Sequence, residues 1–175
     1  MVLFDNLSQN ILVPIDSSIW TFDDGYFSFD YTPVHAYNIA DTFDVNLRIT
    51  TPFGCEADTT IPLIINPTPE SGFYAIGNCT EDYSIQFYDT SSIKWGNIRD
   101  YQWYFGDGGQ SNDINPLYQY NVDSVYSVTL ITESNNSCFD TLRQTIPSLL
   151  LPIANFNFWK NPISLGDTLR LVNNS

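Results

Sequence analysis

"WYFGDG", Trp103–Gly108, decides how this chain is read. An acid between two glycines after an aromatic run fits a phosphate-cradling loop, a metal loop, a catalytic aspartate on a strained turn, or a tight β-turn. A phosphate loop requires a lysine directly after its last glycine, and none follows Gly108. A dinucleotide fingerprint requires a third spaced glycine opening a helix, and neither is present. The choice among the rest comes from upstream. Eighty-three residues earlier stands "WTFDDG", Trp20–Gly25, with Asp23 in the place of Gly106.

The same shift of 83 residues aligns the rest of the chain. Pro33 meets Pro116, Tyr37 meets Tyr120, Val45 and Leu47 meet Val128 and Leu130, and Cys55 meets Cys138. Pro69 meets Pro152, Phe73 meets Phe156, and Phe4 meets Phe87. This register predicts a tandem repeat: residues 1–68 a unit lacking its first strand, 69–152 a complete unit, and 153–175 the first strands of a third. The frame leads us to expect a piece of a longer array, whose last segment orders only against a neighbour.

Composition agrees with an all-β chain. There are 12 Phe, 11 Tyr and 4 Trp, types that suit a pleated, half-buried surface. Ten prolines and nine glycines leave no long helical window. "SIQFY" (84–88) and "YSVTLIT" (126–132) alternate as half-buried strands do. About seven short strands per unit, with turns between, predict an immunoglobulin-like sandwich. Proline-marked junctions at 66–70 and 150–153 leave short linkers and predict a semi-rigid rod. The net charge of −14 repels phosphate backbones and anionic membrane surfaces, so neither nucleic acid nor a membrane is an expected partner. No apolar run approaches the roughly 20 residues of a membrane-spanning helix.

The order W-x-F-G-D-G, then P-x-x-x-Y, then an alternating strand, then Cys, resembles the PKD (polycystic-kidney-disease) domain, an immunoglobulin-like β-sandwich family. The resemblance covers the whole chain and implies a non-enzymatic, extracellular module. Its acidic, Asn-rich and Tyr-rich loops are similar to those of large surface proteins of gliding bacteria, adhesins exported by type IX secretion. PKD modules also accompany secreted proteases and chitinases. The implied partners are neighbouring repeats, and surface glycans or proteins.

Several side chains invite a chemical role. Trp20 and Trp103 occupy the place of a sandwich's core tryptophan. Asp107 and Gly108, like Asp24 and Gly25, read as a turn whose carboxylate accepts backbone N–H groups while glycine takes positive φ. Asp23 tolerates that backbone better than most residues. Asp24, Asp30, Asp107 and Asp113 are weak calcium candidates, because calcium takes about six to eight oxygens and no calcium-loop spacing occurs. No other cofactor is expected. His35 is the only histidine, and its mate is Tyr118, so the position calls for a partly polar ring. Trp95 has Leu12 as its mate and Trp159 has Ile76. Trp95 beside Tyr101 is therefore a candidate sugar-stacking patch, against simple packing at a junction. No C-x-x-C or zinc spacing is present. We expect a Cys79–Cys138 disulfide, with Cys55 pairing upstream of Met1, and hence an oxidising compartment. Sequons at Asn6, Asn78, Asn135 and Asn173 are coincidences of an Asn-rich chain, while "DSV" (123–125) and the "DTL" segments at 140–142 and 167–169 resemble bacterial O-glycosylation sites.

Overall fold

The computed structural model describes residues 1–9, 12–77 and 83–147, and the backbone of 156–158 and 171–173. The described residues form strands and turns, with no helix. Contact density divides the chain into two compact units. The first is Met1–Glu70 with the loops Ile93–Arg99 and Glu133–Asp140; the second is Ser71–Ser92, Asp100–Thr132 and the chain from Thr141 onward.

In the first unit, β1 (Val2–Leu3) pairs with β4 (Val34–His35). A four-stranded sheet runs β3 (Phe27–Ser28), β2 (Ser17–Thr21), β5 (Thr42–Thr50), β6 (Glu56–Ile64). Alternation along β5 places Phe43, Val45 and Leu47 inward, and Val45 and Leu47 join Trp20 and Phe22 in the core. The period of two requires this: a one-residue slip would turn all of them to solvent.

The second unit is built around a three-stranded and a four-stranded sheet. One is ordered β11 (Leu117–Gln119), β8 (Ser84–Asp89), β7 (Phe73–Gly77). The other is ordered β10 (Gln110–Ser111), β9 (Ile98–Tyr104), β12 (Val125–Ser134), β13 (Phe139–Pro147). Its core is Phe73, Ile85, Phe87, Trp103, Phe105, Tyr120, Val128 and Leu130. Two inner faces with one core between them make a β-sandwich. Farther along, β14 (Phe156–Phe158) pairs antiparallel with β15 (Leu171–Asn173).

The elements keep the sequence register. β3 and β10, and β6 and β13, begin and end 83 residues apart. Trp20, Phe22, Val45 and Leu47 in one core stand where Trp103, Phe105, Val128 and Leu130 stand in the other. The second core is the tighter: Trp103, Val128 and Leu130 are 0% exposed, against 6–7% for Trp20, Val45 and Leu47. The polar atoms differ in the same sense. Trp103 Nε1 donates to Asp113 O at 2.9 Å and Tyr120 OH to Phe105 O at 2.9 Å. Trp20 Nε1 and Tyr37 OH are buried with no partner, which costs about 1–3 kcal/mol for each such group.

The structure does not show the expected Cys79–Cys138 disulfide. Cys138 is a free thiol, donating weakly to Asn136 O at 3.8 Å, and Cys55 is free as well. Cys79 lies outside the described residues. β7 starts beside the end of β12, where Ser71 Oγ lies 2.9 Å from Thr132 Oγ1. It then runs toward Gly77, which pairs with Ile85 near the start of β12. Cys138 follows the far end of β12, a strand of about 30 Å at 3.3 Å per residue.

Candidate functional site

The turn that marks each sequence match brings acids, aromatic rings and positive-φ backbone together, and it is built twice. After the tryptophan strand, Phe105 N donates to Gly109 O at 3.0 Å, and Phe22 N to Tyr26 O at 3.1 Å. Inside this hairpin Gly106 takes φ 88° and Asp23 takes φ 62°. Glycine suits Gly106 for a second reason: a Cβ there would meet the backbone of Ser127 at 2.8 Å from O and 3.0 Å from N. In the first unit the Asp23 side chain instead reaches the matching strand, where its Oδ2 accepts Asp44 N at 3.0 Å. The sequence expectation that aspartate tolerates this backbone holds, and the carboxylate adds a hydrogen bond between the turn and β5.

The acid common to both turns is engaged through both of its oxygens. Asp107 Oδ1 accepts Gly109 N at 3.0 Å, and both its oxygens lie 2.9 Å from the donating Tyr118 OH. Asp24 Oδ1 accepts Tyr26 N at 3.2 Å, and its Oδ2 lies 2.7 Å from His35 Nε2. Tyr118 stacks on Phe105 with centroids 3.8 Å apart, and His35 on Phe22 at 4.2 Å. Each ring also meets a tyrosine edge-on, Tyr120 in one unit and Tyr37 in the other. His35 and Tyr118 are thus equivalent. In both, a flat ring lies over a core phenylalanine and carries a polar edge to the turn carboxylate.

These contacts govern ionisation. The Tyr118 hydroxyl is pushed up to about 12, by burial first and then by Asp107. Tyr37 is also raised to about 12, by burial and then by Asp24 and Asp23. Tyr120 moves up for the same leading reason, burial, and Tyr101 by burial and then Asp89. An unfolded tyrosine ionises near 10. A folded pKa above that value stabilises fully below pH 10, and the contribution is lost as pH rises through about 12. The melting temperature should therefore fall steadily between those limits. A melting temperature unchanged from pH 10 to 12 would contradict this.

The calcium candidates are not brought together. Asp30 Oδ2 accepts Ser28 Oγ and Asp113 Oδ2 accepts Ser111 Oγ, both at 3.1 Å, and each aspartate's own N–H donates back to that serine. Among the described residues, no three His, Cys, Asp or Glu side chains are placed to hold a metal ion. Tyr101 packs against the core of the second unit and hydrogen-bonds Asp89. Trp95 belongs to a loop of the first unit and lies beneath the Lys94 ammonium, 4.8 Å from its ring centroid. That ammonium also donates to Ala40 O at 2.8 Å and faces Asp41 at 3.7 Å. Trp159 lies outside the described residues.

Sequence reasoning missed one member of the site. Gly109 faces Tyr118 so closely that an added Cβ would lie 1.9 Å from the hydroxyl oxygen. Its match 83 residues earlier is Tyr26, whose ring lies 5.6 Å from that of the smaller His35. A large ring beside no side chain in one unit becomes a smaller ring beside a tyrosine in the other. Two coincident mismatches in the repeat register were the available signal.

Residues 66–147 match the PKD domain family. Among curated proteins, Collagenase ColA of Clostridium perfringens (strain 13 / Type A) is 30% identical over 50% of this chain and 8% of its own length. Pre-pro-metalloprotease PrtV of Vibrio cholerae serotype O1 (strain M66-2) is 39% identical over 38% of this chain and 7% of its own length. The chain thus spans less than a tenth of the relatives it matches. Among solved structures, the PKD1 domain of Vibrio anguillarum Epp aligns with TM-score 0.46 and 23% identity, over 50% of this chain and 100% of that one. The PKD1 domain of the Vibrio cholerae metalloprotease PrtV aligns with TM-score 0.41 and 35% identity, over 47% and 96%. The family match, over a region folded as a β-sandwich, supports a PKD domain at residues 66–147.

Proposed function

We propose that this chain is a non-enzymatic repeat segment of a long extracellular protein: PKD-like units at 1–68 and 69–152, with a third opening at 153–175. In its finer form the protein is the stalk of a bacterial cell-surface adhesin, of the gliding-motility kind exported by type IX secretion. The observation that carries the reading is the twice-built turn. Its acids and its one histidine, the groups a catalyst would need, are committed in both units to backbone N–H groups and core-stacked rings. A net charge of −14 suits a solvated surface rod. Its partners are then neighbouring repeats of the same chain.

A second reading is a glycan- or protein-binding accessory module of a secreted enzyme, and the likeness to a collagenase and a metalloprotease favours it. Trp95 separates the two. A stalk gives no saturable binding on a glycan array, and Trp95→Ala changes only stability. A selective glycan hit that Trp95→Ala abolishes would replace the first reading with the second.

A further inference from the structure

The first unit carries an aromatic surface that the second lacks. Tyr26, Phe27, Phe29 and Tyr31 fall within six residues, and each is 56–69% exposed. The rings of Phe27 and Phe29 meet edge-on with centroids 5.5 Å apart. The residues 83 positions later are Gly109, Gln110, Asn112 and Ile114, with no aromatic among them. At about 200 Å² a side chain, the four rings leave roughly 500 Å² uncovered, toward the upper end of what a soluble monomer shows and a mark of binding surfaces. The rings lie on and beside β3, which among the described residues pairs with β2 alone, at the edge of its sheet. β10 is the same edge in the second unit, so the free backbone edge belongs to the fold itself. Acids flank the rings. Asp24 precedes Tyr26, and Asp30 lies between Phe29 and Tyr31. Asp23 Oδ2 accepts Asp44 N, which brings two further carboxylates to the same turn. The Lys and Arg side chains of this unit, Arg48, Lys94 and Arg99, are paired instead with Glu56, Asp41 and Glu133.

We infer that this edge binds a basic polypeptide segment in extended form, its backbone added to β3 and its Lys or Arg side chains laid over Phe27 and Phe29. Each part of the surface has a counterpart in such a partner. An extended chain supplies the N–H and C=O groups that a free strand edge pairs with. A guanidinium or ammonium is drawn to the face of an aromatic ring, and the neighbouring carboxylates attract the same cation. The net charge of −14 steers a basic partner in and turns an acidic one away. A neutral sugar also stacks on rings, yet it leaves the strand edge and the carboxylate charge unanswered. A second copy of this chain is equally acidic, so its charge opposes it as the occupant. The inference goes beyond the stalk reading and does not use Trp95. The 83-residue register enters only as the comparison between the two units.

Fluorescence anisotropy of a labelled octapeptide alternating Arg and Thr, titrated with the full chain, tests this. The expected result is saturable binding that weakens as salt rises, and no binding of the same peptide with Glu in place of Arg. Phe27→Gln with Phe29→Asn installs the residues that the second unit carries at those positions and keeps the net charge. This double variant should weaken the Arg peptide about tenfold, as the loss of two exposed cation–π contacts requires, with melting of the chain unchanged. Asp30→Asn with Asp44→Asn leaves the rings in place and should also weaken it. Tyr74→Thr, at an exposed ring of the second unit, should leave the affinity as it is. Affinity equal to the parent's in either double variant would overturn the inference. So would the absence of saturable binding, or a selective glycan-array hit that Phe27→Gln with Phe29→Asn abolishes while the peptide does not bind. Such a failure leaves the stalk reading standing, since a stalk needs no ligand at this edge.

Discussion

Replacing Trp103 by alanine is expected to destabilise the second unit by about 3–5 kcal/mol, the usual cost of truncating a buried tryptophan. The indole is 0% exposed, touches Phe73 and Phe87 with centroids 5.1 and 5.6 Å away, and donates to Asp113 O. Its removal empties the centre of the core and takes the indole donor from Asp113 O. Trp20→Ala should cost less, because Trp20 lines a surface groove and its Nε1 has no partner to lose. Urea melts of the two variants, read against the parent, give the comparison. Equal losses at the two positions would show that the differences in burial and hydrogen bonding carry no weight.

The second large effect is expected at Gly109. A tyrosine there places Cβ 1.9 Å from the Tyr118 hydroxyl oxygen and 2.5 Å from Cζ. A side-chain tip often swings away cheaply. Tyr118 is held on three sides, by Phe105, Tyr120 and both Asp107 oxygens. Gly109→Tyr should therefore cost about 1–3 kcal/mol as overpacking. Tyr118→His alone should also destabilise, since the smaller ring leaves space. The double variant recreates Tyr26 with His35 and should recover much of the loss, a coupling of about 0.5–3 kcal/mol for residues in contact. Strict additivity in thermal melts would refute the exchange.

How far the sequence carried this reading depends on what each feature requires. Trp103, Phe105, Val128 and Leu130 were legible as core because strand alternation and the 83-residue register agree on them. The positive φ of Asp23 was legible because its mate is a glycine. Tyr101 was not: its inward placement depends on how β9 packs, and an exposed stacking ring has the same local sequence. The unsatisfied Trp20 Nε1 was hidden for a related reason. Its counterpart's partner is the backbone carbonyl of Asp113, and a carbonyl carries no side-chain signature.

The direction of β7 has a mechanical consequence. The chain enters the second unit beside the end of β12, at Ser71, and the antiparallel β13 carries it back toward the start of β12, at Pro147. Ser71 and Pro147 therefore lie at opposite ends of the long axis. Tension applied through the two ends pulls β7 along its own length against β8, so its five residue pairs resist in shear, all at once, rather than peeling one by one. The buried Ser71–Thr132 hydroxyl pair stands at the loaded end, where slippage would have to begin.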